Sequence, residues 1–459
     1  MSERESRIPF ISRLSDFPRT DTVYVGTVRS PVSSGTVVSI NMPHLPRDYR
    51  SITADDIPGY RFVDVLGARV PVLASGRVSY RGEPVALIVG PDRRKVAEAI
   101  ALTKVRVNEE KADFSFEACE ASRIVHTERL ESGDTVSALA SASHVIQGEY
   151  RVGPQDHYYS EPQGSAAAFD YDKLIVFSST QWPFHVRDSV AKILDVKKDE
   201  IIVKPTLLGS HLDGKLWYPS LLACHASLAS ILCKKPALLL LARPEDFLYT
   251  TKRAPIIASY TAGLDDDGRL VAVEARIMIN TGAYTPFSEE ITRRSVSTAL
   301  GAYSCPNIRI VARSVRTNLP PMGAFVGLGT GPMNFAIERL AEDCAAIAEQ
   351  DPSEWRAANV AGRGDETRIS TQAIHTLCSP DRASARHKRL PQEALIIRAH
   401  SQETCRPLGS AWVWHRIGLW ATTLWLGNEA FRYGHSQCRS DTCQGLNAEH
   451  TDKPDARFS

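Results

Sequence analysis

The order of apolar and polar positions divides the chain into a long patterned stretch and a poorly patterned remainder. From residue 21 to 116 short apolar runs alternate with turns, as in a small mixed α/β unit. Residues 23–28 and 37–40 read as strands, 53–59 as a turn, and the unbroken run 84–90 as a buried strand. Residues 92–102 then carry apolar side chains at helical spacing, and 105–107 begin a closing strand. The segment 117–145 is polar and weakly patterned, which predicts a connection between units. A second unit starts near Ile146, with strands expected at 174–178, 201–203 and 238–241. Helices are expected at 184–194, at 219–232, where the apolar character runs nearly all round and implies burial, and at 334–349. Residues 260–279 read as a hairpin turning at 265–268.

After residue 372 the pattern fails. Residues 373–459 hold four of the nine cysteines, four of the seven tryptophans, and nine arginines against two lysines. The aromatic stretch 411–420 settles onto no helical face, so a poorly patterned tail is a better reading than a membrane-surface helix. A coding stretch read out of its ancestral frame would give this composition. The fold expected is therefore α+β, of mixed α/β character, in five parts: an extension 1–20, a unit 21–116, a linker 117–145, a unit 146–372 and a tail 373–459.

Charge narrows the function. The 54 basic side chains balance 53 acidic ones for a net +1, which argues against a nucleic-acid footprint. No run of 18 uncharged apolar residues predicts a membrane span, and the first residues lack an apolar signal core, so a cytoplasmic protein is expected. The nine cysteines include no CxxC pair, which excludes a zinc ribbon and an iron–sulfur ligand run; no metal-ligand set is expected.

Two loops are candidates for chemistry. Residues 321–332 place Gly323, Gly327, Gly329 and Gly331 ahead of a helix, where backbone amides can approach an anion. A dinucleotide fingerprint is a poor match, since no strand precedes the glycines, and a structural loop is the plainer alternative. Residues 208–215, Leu-Gly-Ser-His-Leu-Asp-Gly-Lys, lie between a strand and a buried helix but lack the Walker spacing. His211 and Asp213 are too few for a metal site and read as a solvated pair.

The motifs acquire meaning through a resemblance. Arg29-Ser-Pro31, Thr53-Ala-Asp-Asp-Ile-Pro-Gly59 and the stretch 78–86 resemble the a/b hammerhead domain of the xanthine dehydrogenase and aldehyde oxidase family. Glu161-Pro162, Ser179-Thr-Gln-Trp-Pro183, Arg253-Ala-Pro255, the stretch 303–308, Ala324-Phe325 and Gly364-Asp-Glu-Thr367 resemble the first half of that family's molybdopterin-binding domain. The resemblance runs from about residue 20 to 372. It implies a molybdopterin cofactor, its cytosine dinucleotide form being one that the resemblance allows, with separate iron–sulfur and FAD subunits to carry electrons. The implied reaction is hydroxylation of an N-heterocycle or aldehyde with oxygen from water.

The same resemblance gives residues their roles. Gln181 takes the place of a glutamine that donates to a metal oxo group; Gly209, Gly214, Phe325, Gly327 and Gly329 fall on the cofactor loops; Arg294 falls where purine-hydroxylating members carry a substrate arginine. The departures matter equally. Where relatives read GGGFGGK this chain has Ser210, His211 and Asp213, and where they read AFRGFG it has Val326 for the arginine. No GxGE motif, which carries the family's general base, occurs in the sequence, so no catalytic residue is assigned. The expectation is a molybdopterin-dependent hydroxylase subunit, apparently truncated, with impaired chemistry. The alternative is a degenerate, non-catalytic remnant acting as a binding or assembly protein.

Overall fold

The computed structural model describes residues 11–361. The expected tail with its out-of-frame reading, and the match at 364–367, lie outside the described residues. The first unit runs β1 (Val23–Arg29), β2 (Gly35–Asn41), β3 (Arg50–Ile52), β4 (Phe62–Val65), β5 (Ala68–Pro71), β6 (Arg77–Val78), β7 (Pro84–Gly90), α1 (Arg93–Leu102) and β8 (Lys104–Glu109). All seven residues of β7 are buried, as its unbroken apolar run predicts. The helix start is set by Asp92, whose side chain accepts from the amides of Arg94 and Lys95. At the expected turn the Thr53 amide donates to Asp56 Oδ2 at 2.8 Å.

The second unit continues with β9 (Ile124–Ser132), α2 (Thr135–Ala140), β10 (His144–Val152), β11 (Gly164–Asp170), β12 (Lys173–Ser178), α3 (Pro183–Leu194), β13 (Ile201–Pro205), α4 (Tyr218–Cys233), β14 (Ala237–Leu240) and α5 (Arg243–Tyr249). It closes with β15 (Ile256–Leu264), β16 (Leu270–Gly282), α6 (Ser288–Thr298), β17 (Asn307–Arg316), α7 (Thr330–Ile347) and α8 (Pro352–Asn359). Residues 117–145, expected as a connection, instead contain β9, an edge strand of the second unit's sheet. The polar alternation that reads as a linker is that of a strand with one face to solvent.

Two sheets organise these elements. A seven-stranded sheet has the order β13-β12-β11-β14-β1-β7-β3 and crosses from one unit into the other, because β1 pairs in parallel with β14 at Val23–Ala237 and Tyr24–Leu238. A five-stranded sheet has the order β10-β15-β16-β17-β9. The expected hairpin forms as β15 and β16, while β17 returns parallel to β16. A parallel return requires a crossover, and α6 supplies it. Helix α4 passes through the shared core with Leu221, Ala223, Cys224 and His225 fully buried, which accounts for its lack of a polar face.

Candidate functional site

The expected site residues gather where two loops meet. The first loop, residues 206–217, joins β13 to α4. Beside it Gln181 occupies the turn between β12 and α3, held by two hydrogen bonds: its amide donates to the Lys215 carbonyl at 2.8 Å, and the Lys215 amide donates to its Oε1 at 3.2 Å. Its Nε2 donates to Asp213 Oδ1 at 3.0 Å. Both ends of the carboxamide are thus engaged by the same loop. To bring the carboxylate there the backbone takes the left-handed region at Leu212 (φ 46°) and Asp213 (φ 67°), a conformation that Asp tolerates better than Leu. The expected His211–Asp213 pair is a local bond, the Asp213 amide donating to His211 Nδ1 at 3.3 Å.

The remaining loop residues face a buried polar network. The Gly209 amide donates to Glu161 Oε1 at 3.0 Å. Gly214 lies so close to His157 that a Cβ would meet its Cγ at 2.6 Å. The Lys215 ammonium is fully buried, donates to Glu161 Oε1 at 2.7 Å and lies 4.6 Å from the centre of the Tyr159 ring. Burial is the largest influence on this lysine and holds it below its ordinary pKa against the attraction of Glu161. For Glu161 burial works upward, but the Gly209 amide and Lys215 together outweigh it and hold the carboxyl low.

The second loop joins β17 to α7. Phe325 stacks on His157 with ring centres 4.6 Å apart and planes 21° apart, and the Arg253 guanidinium lies 3.9 Å from the Phe325 ring centre. Burial pushes His157 down to about 4 and Arg253 down to about 10. Within the glycine stretch the Leu328 amide donates to the Phe325 carbonyl at 2.7 Å and the Thr330 amide to the Gly327 carbonyl at 2.9 Å. These amides are therefore satisfied by the loop itself. Gly329 precedes α7 with φ 97°. The two loops join directly, since the Val326 amide donates to the Leu212 carbonyl at 3.1 Å. The cavity lined by Arg253, Ile291, Phe325, Leu328 and Gly329 measures about 10 Å³, the room of a single water.

Arg294 is on the helix beside the second loop. It lies on α6, whose Ile291 and Ser295 contact Gly329, but its own Nε donates to Glu290 one turn away. Among the described residues no group of three or more His, Cys, Asp or Glu side chains is placed to hold a metal. No helix among them is long and apolar enough to cross a membrane. Pattern reading did not assign roles to His157, Arg253 or the Glu161–Lys215 pair. Each depends on contacts between segments tens of residues apart, and no local spacing signals them.

Comparison with known proteins agrees with this architecture. Residues 13–111 match the family model described as aldehyde oxidase and xanthine dehydrogenase, a/b hammerhead domain. Residues 117–360 match the model described as molybdopterin cofactor-binding domain. The chain is 28% identical over 329 residues to a xanthine dehydrogenase of Dictyostelium discoideum, covering 71% of this chain and 24% of that protein. It is 26% identical over 363 residues to the nicotinate dehydrogenase large molybdopterin subunit of Eubacterium barkeri, covering 75% and 84%. In structure it superposes on the aldehyde oxidoreductase from Desulfovibrio gigas with a TM-score of 0.74 at 24% identity, covering 85% of this chain and 45% of that one. Quinoline 2-oxidoreductase from Pseudomonas putida gives a TM-score of 0.69, also at 24% identity, covering 83% and 53%. The chain thus spans about a quarter of the xanthine dehydrogenase relative and about half of these solved structures. A hammerhead unit followed by a molybdopterin cofactor-binding domain, in this order and with this fold, places the chain in the xanthine dehydrogenase and aldehyde oxidase family of oxidoreductases.

Proposed function

We propose that this chain is the pterin-binding large subunit of a molybdenum-hydroxylase assembly, with its own chemistry impaired. The ancestral reaction is hydroxylation of an N-heterocycle or an aldehyde with water as oxygen source, and an iron–sulfur subunit and an FAD subunit are the partners that this reading requires. The cofactor in such an assembly supplies the two-electron acceptor and the activated oxygen. Whether it is the cytosine dinucleotide form belongs to the same proposal. Gln181, Gly209, Gly214, Phe325, Gly327 and Gly329 are the residues proposed to line its seat, and Arg294 the one proposed to meet substrate.

As arranged here, those residues do not fit an oxo-bearing group. The observation that carries the impairment is the hydrogen bond from Gln181 Nε2 to Asp213 Oδ1 at 3.0 Å. One of the two N–H groups that could serve an oxo ligand already serves a carboxylate, and that carboxylate would repel the ligand's charge. At the second loop, the cavity lined by Phe325 and Gly329 is about 10 Å³, far below the size of a ligand pocket. A non-catalytic binding or assembly role is favoured by this same closure.

The test is turnover. The full chain, produced in a host that makes molybdenum cofactor and supplied with electron-carrying companion subunits, is assayed on an aldehyde and an N-heterocycle beside an intact relative. A rate lower by about 10² or more is expected, the scale of losing one positioned catalytic group. A rate within about tenfold of the relative overturns the impairment.

A further inference from the structure

We infer that Asp213 is the residue that decides what the Gln181 seat accepts, acting as a built-in anion that excludes an anionic cofactor. This rests on the proposal that the seat is the family's cofactor seat. A carboxamide offers two donor hydrogens on one end and an acceptor on the other. Here the acceptor end is fixed by the Lys215 amide at 3.2 Å, so turning the group over would set its NH₂ against a backbone N–H. The donor end must point where it does, and Asp213 Oδ1 takes one of its two hydrogens and stands beside the other. An oxo or phosphate oxygen brought to that donor would stand within hydrogen-bonding distance of a carboxylate.

The surrounding cations do not relieve this. His211 Nδ1 stands 4.0 Å from Asp213 Oδ1 but accepts the Asp213 amide, Lys215 is committed to Glu161 at 2.7 Å, and Arg253 lies over Phe325 with its Nη1 turned to the Val326 carbonyl at 3.4 Å. The closure also extends beyond one side chain. The left-handed turn that delivers Asp213 presents the Leu212 carbonyl to the Val326 amide, so the same feature that occupies Gln181 ties the two loops together. A non-glycine residue persists in that backbone region when its surroundings hold it there, and the bond to Gln181 is such a hold. Glycine at 213 would remove the carboxylate while suiting the backbone, so Asp213→Gly is a substitution the fold accommodates.

The experiment compares the full wild-type chain with D213G and D213N, all produced in a host that makes molybdenum cofactor. Two readouts are taken: molybdenum and released pterin per chain, and hydrogen exchange at the amides of Lys215 and Val326. In D213G these amides exchange about tenfold faster than in the wild type, and molybdenum content rises by about fivefold or more. D213N, which keeps an acceptor oxygen, retains the wild-type exchange rates. A wild-type chain already carrying stoichiometric molybdenum overturns the inference and leaves the cofactor-binding reading standing. Faster exchange in D213G with no gain in molybdenum overturns exclusion by Asp213 and counts against the cofactor seat itself. Unchanged exchange in D213G overturns the clamp.

Discussion

The Tyr284 hydroxyl donates to Glu83 Oε1, joining the loop after β16 to the residue that precedes β7 in the hammerhead unit. Glu83 is 2% exposed, and its other oxygen accepts the Ser79 amide at 2.6 Å. The contact steadies a strained segment, since Tyr284, Thr285 and Phe287 all hold positive φ just before α6, the helix that carries Arg294.

Glu83 makes this junction sensitive to pH. Burial pushes its carboxyl up to about 7 despite the bonds from Tyr284 and Ser79. The folded chain keeps this proton at pH values where the unfolded chain has released it. The associated stability is fully present below about pH 4.5 and is lost as pH rises through about 7, a change of about 3 kcal/mol. Glu83→Gln is expected to gain stability relative to wild type as pH climbs from 5 to 8, read from thermal midpoints of the two proteins. An advantage that does not vary with pH would contradict this assignment.

His225 works in the opposite direction. It is fully exposed to nothing but protein, at 0% accessibility, and its Nε2 bonds the Val72 carbonyl at 2.6 Å. Burial pushes it down to about 4, so acid must drive a proton into the core or unfold it. Stability falls by about 3 kcal/mol as pH drops from about 6.5 to 4. His225→Gln should flatten that acid limb in denaturation curves recorded at several pH values, whatever its effect at neutral pH.

The Glu161–Lys215 pair predicts an asymmetric mutant cycle. Lys215 is fully buried while the Glu161 side chain is 35% exposed. Removing the acid by Glu161→Gln strands an ammonium in the core and costs about 3 kcal/mol. Lys215→Met leaves a carboxylate that can turn toward water, and costs less. The double variant should recover about 1–2 kcal/mol relative to the sum, measured by urea denaturation. Strict additivity would mean the two charges do not interact.

Two glycines at the start of α7 should respond with opposite signs. At Gly329, with φ 97°, a Cβ would lie 2.8 Å from the Ile291 carbonyl oxygen. Gly329→Ala therefore costs about 2 kcal/mol or more from backbone strain and overlap. Gly331 is the second residue of α7, and a Cβ there first meets Arg253 Nη1 at 3.4 Å. Gly331→Ala is expected to stabilise by about 0.5–1 kcal/mol through helix propensity. Thermal midpoints of the two single variants check both signs.

Local periodicity determined much of this protein without the structure. The all-apolar run of β7, the one-sided helix α1, the buried helix α4 and the hairpin of β15 with β16 are each written in the spacing of side chains. Spacing says which face of an element will be covered. The unusual charge at Asp213 was equally plain in the loop sequence. What periodicity does not carry is the identity of the partner. That β1 lies beside β14, more than two hundred residues later, that 124–132 forms an edge strand, and that Asp213 meets Gln181 were decided by tertiary packing. Apolar burial is non-directional and accepts many pairings. The choice among them is made by the whole core and by the buried polar groups that must each find a partner, and those conditions exist only when the chain is folded.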